Sequence, residues 1–129
     1  MKDALRKYFL IISFLTVGSI ALIYGVSPTW FALTFLGMEV LDINIAHILR
    51  AVMCLYLALG TFWLVCAFQP KLHKTAIFTV LIFCSGLFLG RLISFMIDGL
   101  PSILLQIYAG IELAVIPFAY WLLRLRDSE

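Results

Sequence analysis

Five polar side chains in or directly beside two apolar segments are the residues of this sequence best suited to chemistry. Arg91, Ser94 and Asp98 repeat at i, i+3 and i+7, a spacing that places them on one face of a helix. Tyr108 and Glu112 lie one helical turn apart on the next segment. An arginine can hold an anionic group, whereas a tyrosine and a glutamate can transfer protons to or from a substrate.

His47 and Arg50 form a second polar pair, at i and i+3 near the start of an earlier apolar segment. Arg50 and Arg91 lie roughly 7–10 Å, at the helical rise, from the predicted outer ends of their helices. An arginine side chain can extend over that distance to the lipid head groups. His47 can titrate or bind a ligand, or it can form a hydrogen bond to a loop at the membrane interface. Both interpretations of His47 stay open.

Glu112 lies too deep in its segment to be explained in the same way. It is about ten residues, or roughly 15 Å, from the predicted outer end of its helix, and a carboxylate there cannot extend to water. Burying it without a partner costs several kcal/mol. Arg50 and Arg91 are the basic residues predicted in the same half of the membrane, so we expect them to pair with it. A buried ion pair adds little net stability, which favours a functional site over a purely structural contact.

The composition indicates what kind of scaffold positions these residues. Of 129 residues, 64% are hydrophobic and 12% are charged, which is more apolar surface than a water-soluble domain of this size can bury. Four apolar segments, each near the roughly 20 residues that cross a bilayer as a helix, cover 8–26, 45–68, 75–97 and 102–123. The sequence therefore predicts an all-α fold, an integral membrane four-helix bundle that forms a single domain over residues 1–129.

The positive charges predict the orientation of this bundle. Apart from Arg50 and Arg91, the lysines and arginines occur before the first segment, between the second and third, and after the fourth: Lys2, Arg6, Lys7, Lys71, Lys74, Arg124 and Arg126. The connections on the other side, 27–44 and 98–101, contain acidic residues and no lysine or arginine. The positive-inside rule then predicts that both termini are cytoplasmic. The first apolar segment is longer than the core of a signal peptide, so we expect it to be retained as a helix.

A short interfacial helix is predicted between the first two long helices. Ser27 followed by Pro28 is typical of a helix N-cap and first position, and Gly37 ends the segment. The residues between them are too few to cross a membrane, and they include Trp30 and Phe35, whose rings suit the membrane interface. We expect this helix to cover the outer ends of the bundle.

Glycines at helical spacing predict where helices approach one another closely. Gly18 and Gly25 lie on one face of the first segment, Gly60 lies on the second, and Gly86 and Gly90 form a G-x-x-x-G motif on the third. Small residues let membrane helices pack backbone to backbone. All five are therefore predicted to be helix-packing positions, within the chain or against a partner.

Residue type and spacing exclude several kinds of site. Cys54, Cys66 and Cys84 form no C-x-x-C pair, so neither a zinc site nor a disulfide framework is predicted. His47 and His73 fall on opposite sides of the predicted membrane, which argues against haem ligation by two histidines of one chain. The sequence has no glycine-rich phosphate loop and no extended basic surface for nucleic acid. We predict no metal, no cofactor, no nucleic-acid partner and no catalytic residue.

Several of these residues together resemble a known family. The motifs that carry the resemblance are Arg50, Tyr56-x-x-Leu59-Gly60, Gly86-x-x-x-Gly90-Arg91-x-x-Ser94-x-x-x-Asp98-Gly99-x-Pro101, and Glu112. Over residues 49–119 the chain is similar to a group of small bacterial four-helix membrane proteins known as a domain of unknown function, and that group distantly resembles the DoxX-type membrane proteins. The resemblance implies the four-helix membrane fold and a place in the bacterial inner membrane. It implies no established reaction.

Three functions are compatible with these observations. The first is binding of a membrane lipid or a small anionic amphiphile in a polar cavity that opens on the extracytoplasmic side, lined by His47, Arg50, Arg91, Ser94, Asp98, Tyr108 and Glu112. The second is an accessory or assembly subunit of a larger membrane complex, or a homo-oligomer, with the glycine faces at the interface. The third is a quinone-linked redox component in which Glu112 and Tyr108 transfer protons.

Overall fold

The computed structural model of the chain describes residues 1–125, and these fold into helices joined by short connections. The helices are α1 (Lys2–Gly25), α2 (Pro28–Phe31), which continues as a π-helical turn (Ala32–Leu36), α3 (Ile43–Ala67), α4 (His73–Ile97) and α5 (Ile103–Arg124). No strand occurs among the described residues. The predicted all-α four-helix architecture is confirmed. Arg126, one of the charges used to predict the orientation, lies outside the described residues.

Four helical stretches are long and apolar enough to cross a membrane, namely Lys2–Gly25, Ile43–Ala67, Pro70–Ile97 and Ile103–Arg124. At most 33% of the residues in the most apolar part of each are buried inside the bundle, so most of their apolar side chains face outward. A water-soluble bundle would bury that surface, whereas lipid solvates it. These features indicate a multi-pass membrane protein. The helix α1 begins at Lys2, before the predicted apolar segment, because its backbone hydrogen bonds continue into the polar residues that flank the membrane.

Local capping explains where the helices begin. The Ser27 hydroxyl accepts a hydrogen bond from the Trp30 amide at 3.3 Å, and Pro28 occupies the first helical position of α2. Gly37 ends the π-helical turn with a φ of 67°, a left-handed conformation that favours glycine. Asp42 caps α3 by accepting a hydrogen bond from the Asn44 amide at 3.2 Å. The predicted short helix between the first two long helices is therefore present.

Two helix pairs build the bundle, α1 with α3 and α4 with α5, and α1 also crosses α4. Glycine permits the close approach of the first pair. A Cβ added at Gly60 would lie 2.8 Å from Val17, and one added at Gly25 would clash with Met53. Both glycines therefore lie where α1 and α3 approach each other closely.

The other three glycines are placed differently. Apart from the chain neighbours and the nearby backbone of the same helix, no atom of the described chain comes within 4 Å of a Cβ added at Gly18, Gly86 or Gly90, and Gly86 and Gly90 are exposed. Within residues 1–125, no neighbouring helix packs directly on any of the three. Their packing role stays a prediction that concerns a partner molecule.

Candidate functional site

An ion pair between α4 and α5 forms the centre of the candidate site. The Arg91 Nε atom donates hydrogen bonds to both carboxylate oxygens of Glu112, at 3.0 Å to Oε1 and 2.8 Å to Oε2. The side chains are 18% and 9% exposed, respectively. The turn that joins these antiparallel helices brings the two residues to a similar depth. This is the pairing that the depth of Glu112 predicts for Arg91.

Only one of the three guanidinium nitrogens of Arg91 forms hydrogen bonds to Glu112. Both hydrogen bonds to Glu112 start from Nε, so neither uses the terminal nitrogens Nη1 and Nη2. Tyr24 of α1 also lies within interaction range of Arg91. The guanidinium carbon lies 5.9 Å from the centroid of the Tyr108 ring, within the range of a cation–π contact. Arg91 of α4 therefore contacts side chains of two other helices, α1 and α5.

Aromatic rings surround the buried side of the pair. The Tyr24 ring meets the rings of Phe31, Tyr56 and Tyr108 edge to face, with centroids 4.9, 6.0 and 5.8 Å apart. Such contacts add to the apolar burial of each ring. Phe31 is buried and belongs to α2, so the short helix packs onto this cluster. Tyr24 was not among the predicted site residues, although its place near the outer end of α1 puts it in the same half of the bundle as Arg91.

An outer pocket of about 500 Å³ lies beside this pair. Its wall is the face of α4 that carries Gly86, Gly90, Ser94 and Asp98, and the α4–α5 turn and Leu105 complete it; Arg91 also lines it. The two glycines contribute to the free space because they have no side chains. Ser94 and Asp98 are exposed, so the pocket has a polar rim above an apolar and cationic interior. The spacing of the polar residues on α4 therefore does place them in one cavity.

An inner cavity of about 120 Å³ lies on the other side of Arg91 and is lined by all four long helices. Its lining is mainly apolar and aromatic, and it includes Tyr56, Tyr108 and Glu112. The Tyr108 hydroxyl is buried and has no hydrogen-bond partner among the described residues. Buried hydroxyls normally have a partner, so this one can bind a water molecule or a polar atom of a ligand. Arg91 lines both cavities and therefore lies at their boundary.

The structure does not bring His47 and Arg50 into this site. Both are exposed, neither lines the two cavities, and no hydrogen bond or ion pair within residues 1–125 joins Arg50 to Glu112. At about 100° per residue, His47 lies about 180° and Arg50 about 120° around α3 from Tyr56, which faces the core. The expectation that both arginines pair with Glu112 is therefore wrong for Arg50.

The arrangement is suited to binding an anion rather than a metal. Nowhere in the described part of the chain do three His, Cys, Asp or Glu side chains come together. Glu112 neutralises the guanidinium charge, and the terminal N–H groups that do not face Tyr24 remain as directional donors. These groups can hold one oxyanion at the boundary between a polar pocket and an apolar cavity.

Comparison with known proteins places the chain in a family without assigning an activity. Neither the curated proteins nor the solved structures include a match to this chain. The resemblance to DoxX-type proteins and the bacterial origin stay predictions. A family described as a domain of unknown function, DUF4345, matches residues 5–123, and the chain therefore belongs to the DUF4345 family.

Proposed function

We propose that this protein binds a membrane lipid or a small anionic amphiphile, with the head group in the outer pocket at Arg91. One observation carries the proposal: Glu112 binds Arg91 through Nε alone, while Arg91 also lines the outer pocket. The carboxylate compensates the partly buried cation when no ligand is bound. The terminal nitrogens can then donate to an incoming oxyanion without loss of the internal pair.

The charges around the pocket favour a head group with a single negative charge. Arg91 and Glu112 cancel each other formally, and Asp98 adds a carboxylate to the lining. A multiply charged anion would be repelled by Asp98, whereas a hydroxyl or ammonium group on the same ligand could approach it. Ser94 can donate to or accept from such a polar group.

The apolar parts of the lining suit the tail of an amphiphile. Leu87, Phe95 and Leu105 line the outer pocket, and its outer face is continuous with side chains that lipid would solvate. The inner cavity is too small for a lipid chain together with its head group. With its unpaired Tyr108 hydroxyl, it suits a water molecule or the end of a small ligand.

The charge pattern supplies the orientation of this site. The α4–α5 turn that closes the outer pocket carries Asp98 and no lysine or arginine, whereas Lys71 and Lys74 lie at the opposite end of α4. The positive-inside rule supports an opening toward the extracytoplasmic side and cytoplasmic termini. Location in a bacterial inner membrane is part of the same proposal and follows from the resemblance.

The exposed face of Gly86 and Gly90 favours one alternative, an accessory or assembly subunit, or a homo-oligomer. A helix of a partner or of a second copy could pack on these glycines and would then fill the outer pocket. The two functions respond differently to substitution. Gly90→Leu would disrupt both, whereas Arg91→Gln would weaken the binding of an anionic ligand and leave a glycine-mediated helix contact in place. The third function, a quinone-linked redox role, would need Tyr108 and Glu112 for proton transfer.

A binding titration tests the proposal. Protein in an uncharged detergent is titrated with a single-chain phosphatidylglycerol and, separately, with the matching phosphatidylcholine, and bound ligand is counted by native mass spectrometry. Losing charge-assisted hydrogen bonds at Arg91 should weaken binding of the anionic ligand about tenfold or more in Arg91→Gln. Arg50→Gln is the matched control, because Arg50 is an exposed arginine outside the pocket, and it should change binding less than about twofold.

A second variant keeps the test decisive if Arg91→Gln folds poorly. Gly90→Leu fills the outer pocket and leaves the Arg91–Glu112 pair intact, and its Cβ has open space at that position. It should also abolish binding at this site. Equal loss in Arg91→Gln and Arg50→Gln, or unchanged binding in Gly90→Leu, would refute the proposed function.

A further inference from the structure

A second pocket lies at the opposite end of the bundle, where α1 and α4 begin. It has a volume of about 350 Å³ and is lined by the first residues of α1 and by the α3–α4 turn. Among residues 1–125, four cationic residues, Lys2, Arg6, Lys71 and Lys74, line it together with one acid, Asp3. Along α4, Lys74 of this pocket and Arg91 of the outer pocket are roughly 25 Å apart at the helical rise. It shares no lining residue with the proposed lipid site.

Arg6 forms the rigid part of this pocket. It is only 2% exposed, and its Nη2 donates to the carbonyl oxygens of Leu125 at 2.8 Å and Leu122 at 3.2 Å. These carbonyls belong to the C-terminal end of α5, so the bonds fix the guanidinium between α1 and α5. A ligand that enters the pocket meets an arginine whose position is already set.

Lys2 and Lys71 form the accessible part. Lys2 is half-buried and Lys71 is exposed, and no ion pair joins either of them to a residue within 1–125. They come from different elements, the start of α1 and the 3₁₀ turn Pro70–Leu72. Two flexible cations from separate elements can therefore close on one anion.

The orientation of the bundle explains why the charges at this end are positive. It does not explain why four of them line the same pocket. Lys7 and Arg124 lie at the same end, and neither lines the pocket. The Lys7 ammonium lies 4.8 Å from the centroid of the Phe68 ring, and the Arg124 guanidinium lies 5.8 Å from that of Tyr120. The positive-inside rule requires positive charge at this end of the bundle, but it does not require the charged side chains to line one pocket.

We propose that this pocket, defined by Lys2, Arg6, Lys71 and Lys74, binds the phosphate group of an anionic membrane lipid. It lies where two membrane-crossing helices begin, which is the depth of a lipid head group. Basic pockets between transmembrane helices bind anionic head groups by the same combination of charge and hydrogen bonding. The N-terminal ends of α1 and α4 add the positive ends of their helix dipoles. The inference is independent of the proposed function, because the two sites share no residue.

Thermal unfolding in an uncharged detergent provides the test. The measurement uses the Gly90→Leu background, which fills the outer pocket and keeps the Arg91–Glu112 pair, and compares added phosphatidylglycerol, phosphatidylcholine with the same chains, and inorganic phosphate. The double variant Lys2→Gln/Lys71→Gln is compared with Lys7→Gln/Arg124→Gln, which removes the same charge at the same end of the bundle. Both pairs remain foldable because the substituted side chains are not fully buried.

Phosphatidylglycerol should raise the melting temperature at lower concentrations than phosphatidylcholine does. The apparent affinity for phosphatidylglycerol should fall about 30-fold in Lys2→Gln/Lys71→Gln, because each lysine contributes about fivefold. In Lys7→Gln/Arg124→Gln it should fall less than about threefold. Equal losses in both double variants would overturn the proposal, as would equal effects of the two lipids. Stabilisation by inorganic phosphate at the same concentration would overturn its assignment to a lipid.

Discussion

Arg91 binds Glu112 through one nitrogen atom: its Nε lies 2.8 Å from one carboxylate oxygen and 3.0 Å from the other. The pair joins α4 to α5, and its arginine lines both the outer pocket and the inner cavity. Nε binds the acid, and the terminal nitrogens can bind a ligand. The proposed function depends on these two parts of the guanidinium group binding different partners.

Removing one member of this pair should destabilise the protein more than removing both. Glu112→Leu leaves a partly buried cation without its carboxylate, and we expect a loss of about 2–4 kcal/mol in the free energy of unfolding. The double variant Arg91→Met/Glu112→Leu replaces both charges with apolar groups of similar size and should recover to within about 1 kcal/mol of the wild type. Equilibrium unfolding in mixed detergent micelles measures each value. If the double variant were as unstable as Glu112→Leu, the expectation that the Arg91–Glu112 pair contributes little net stability would be wrong.

Two glycine substitutions should have opposite consequences. A Cβ at Gly60 would lie 2.8 Å from Val17, so Gly60→Ala forces α1 and α3 apart and should cost about 1–3 kcal/mol. Gly90→Ala meets open space in a helix and should be neutral or stabilising by up to about 1 kcal/mol. Unfolding free energies of the two single variants test the difference. Equal destabilisation would mean that a helix packs on Gly90, as the accessory-subunit alternative requires.

The hydrogen bond between α3 and α4 offers a further test. The Trp63 indole N–H donates to the Thr79 hydroxyl at 2.9 Å, and Trp63 is buried. Thr79→Val keeps the shape and removes the acceptor, which should cost about 1–3 kcal/mol because the indole N–H loses its partner. Thr61→Val is the control, since that exposed hydroxyl bonds only to the Leu57 carbonyl of its own helix. Melting temperatures that fall equally in both variants would argue against this inter-helix bond.

Arg6 should contribute more to stability than its neighbour Lys7. Arg6→Met leaves the carbonyls of Leu122 and Leu125 without their charged donor and should cost about 2–3 kcal/mol. Lys7→Met loses a single cation–π contact with Phe68 and should cost about 0.5–1 kcal/mol. Unfolding free energies in the same detergent compare the two. A similar cost for both would mean that Arg6 acts mainly through its charge.

The fold was predictable because each of its signals is local. Apolar length defines the four long helices, and the Ser27–Pro28 pair with Gly37 defines α2. The Arg91–Glu112 contact was also predictable, since a carboxylate at the depth of Glu112 requires a cation nearby. The face of α3 that carries Tyr56 and Gly60 could have shown that Arg50 points elsewhere, because helical phase separates them.

Other features depend on contacts between distant parts of the chain. The G-x-x-x-G motif of Gly86 and Gly90 shows that these positions are small, but it does not show whether another helix packs on them. In the described chain the motif borders a pocket. From its position before the first apolar segment, Arg6 is predicted only to help set the orientation of the bundle. Its burial depends on hydrogen bonds to carbonyl oxygens at the C-terminal end of α5. The packing of Tyr24 on Tyr108 joins two helices that are far apart in sequence.

Photocrosslinking tests the central claim, an anionic ligand at Arg91, most directly. A photoreactive phenylalanine replaces Phe95, which lines the outer pocket, or Phe88, which is on the same helix outside it, and the protein is irradiated in nanodiscs with equal amounts of phosphatidylglycerol and phosphatidylcholine. We predict that crosslinks at position 95 are enriched in phosphatidylglycerol, that Arg91→Gln removes the enrichment, and that crosslinks at position 88 reflect the bulk lipid ratio. The same ratio of crosslinked lipids at both positions, unchanged by Arg91→Gln, would contradict the proposed site.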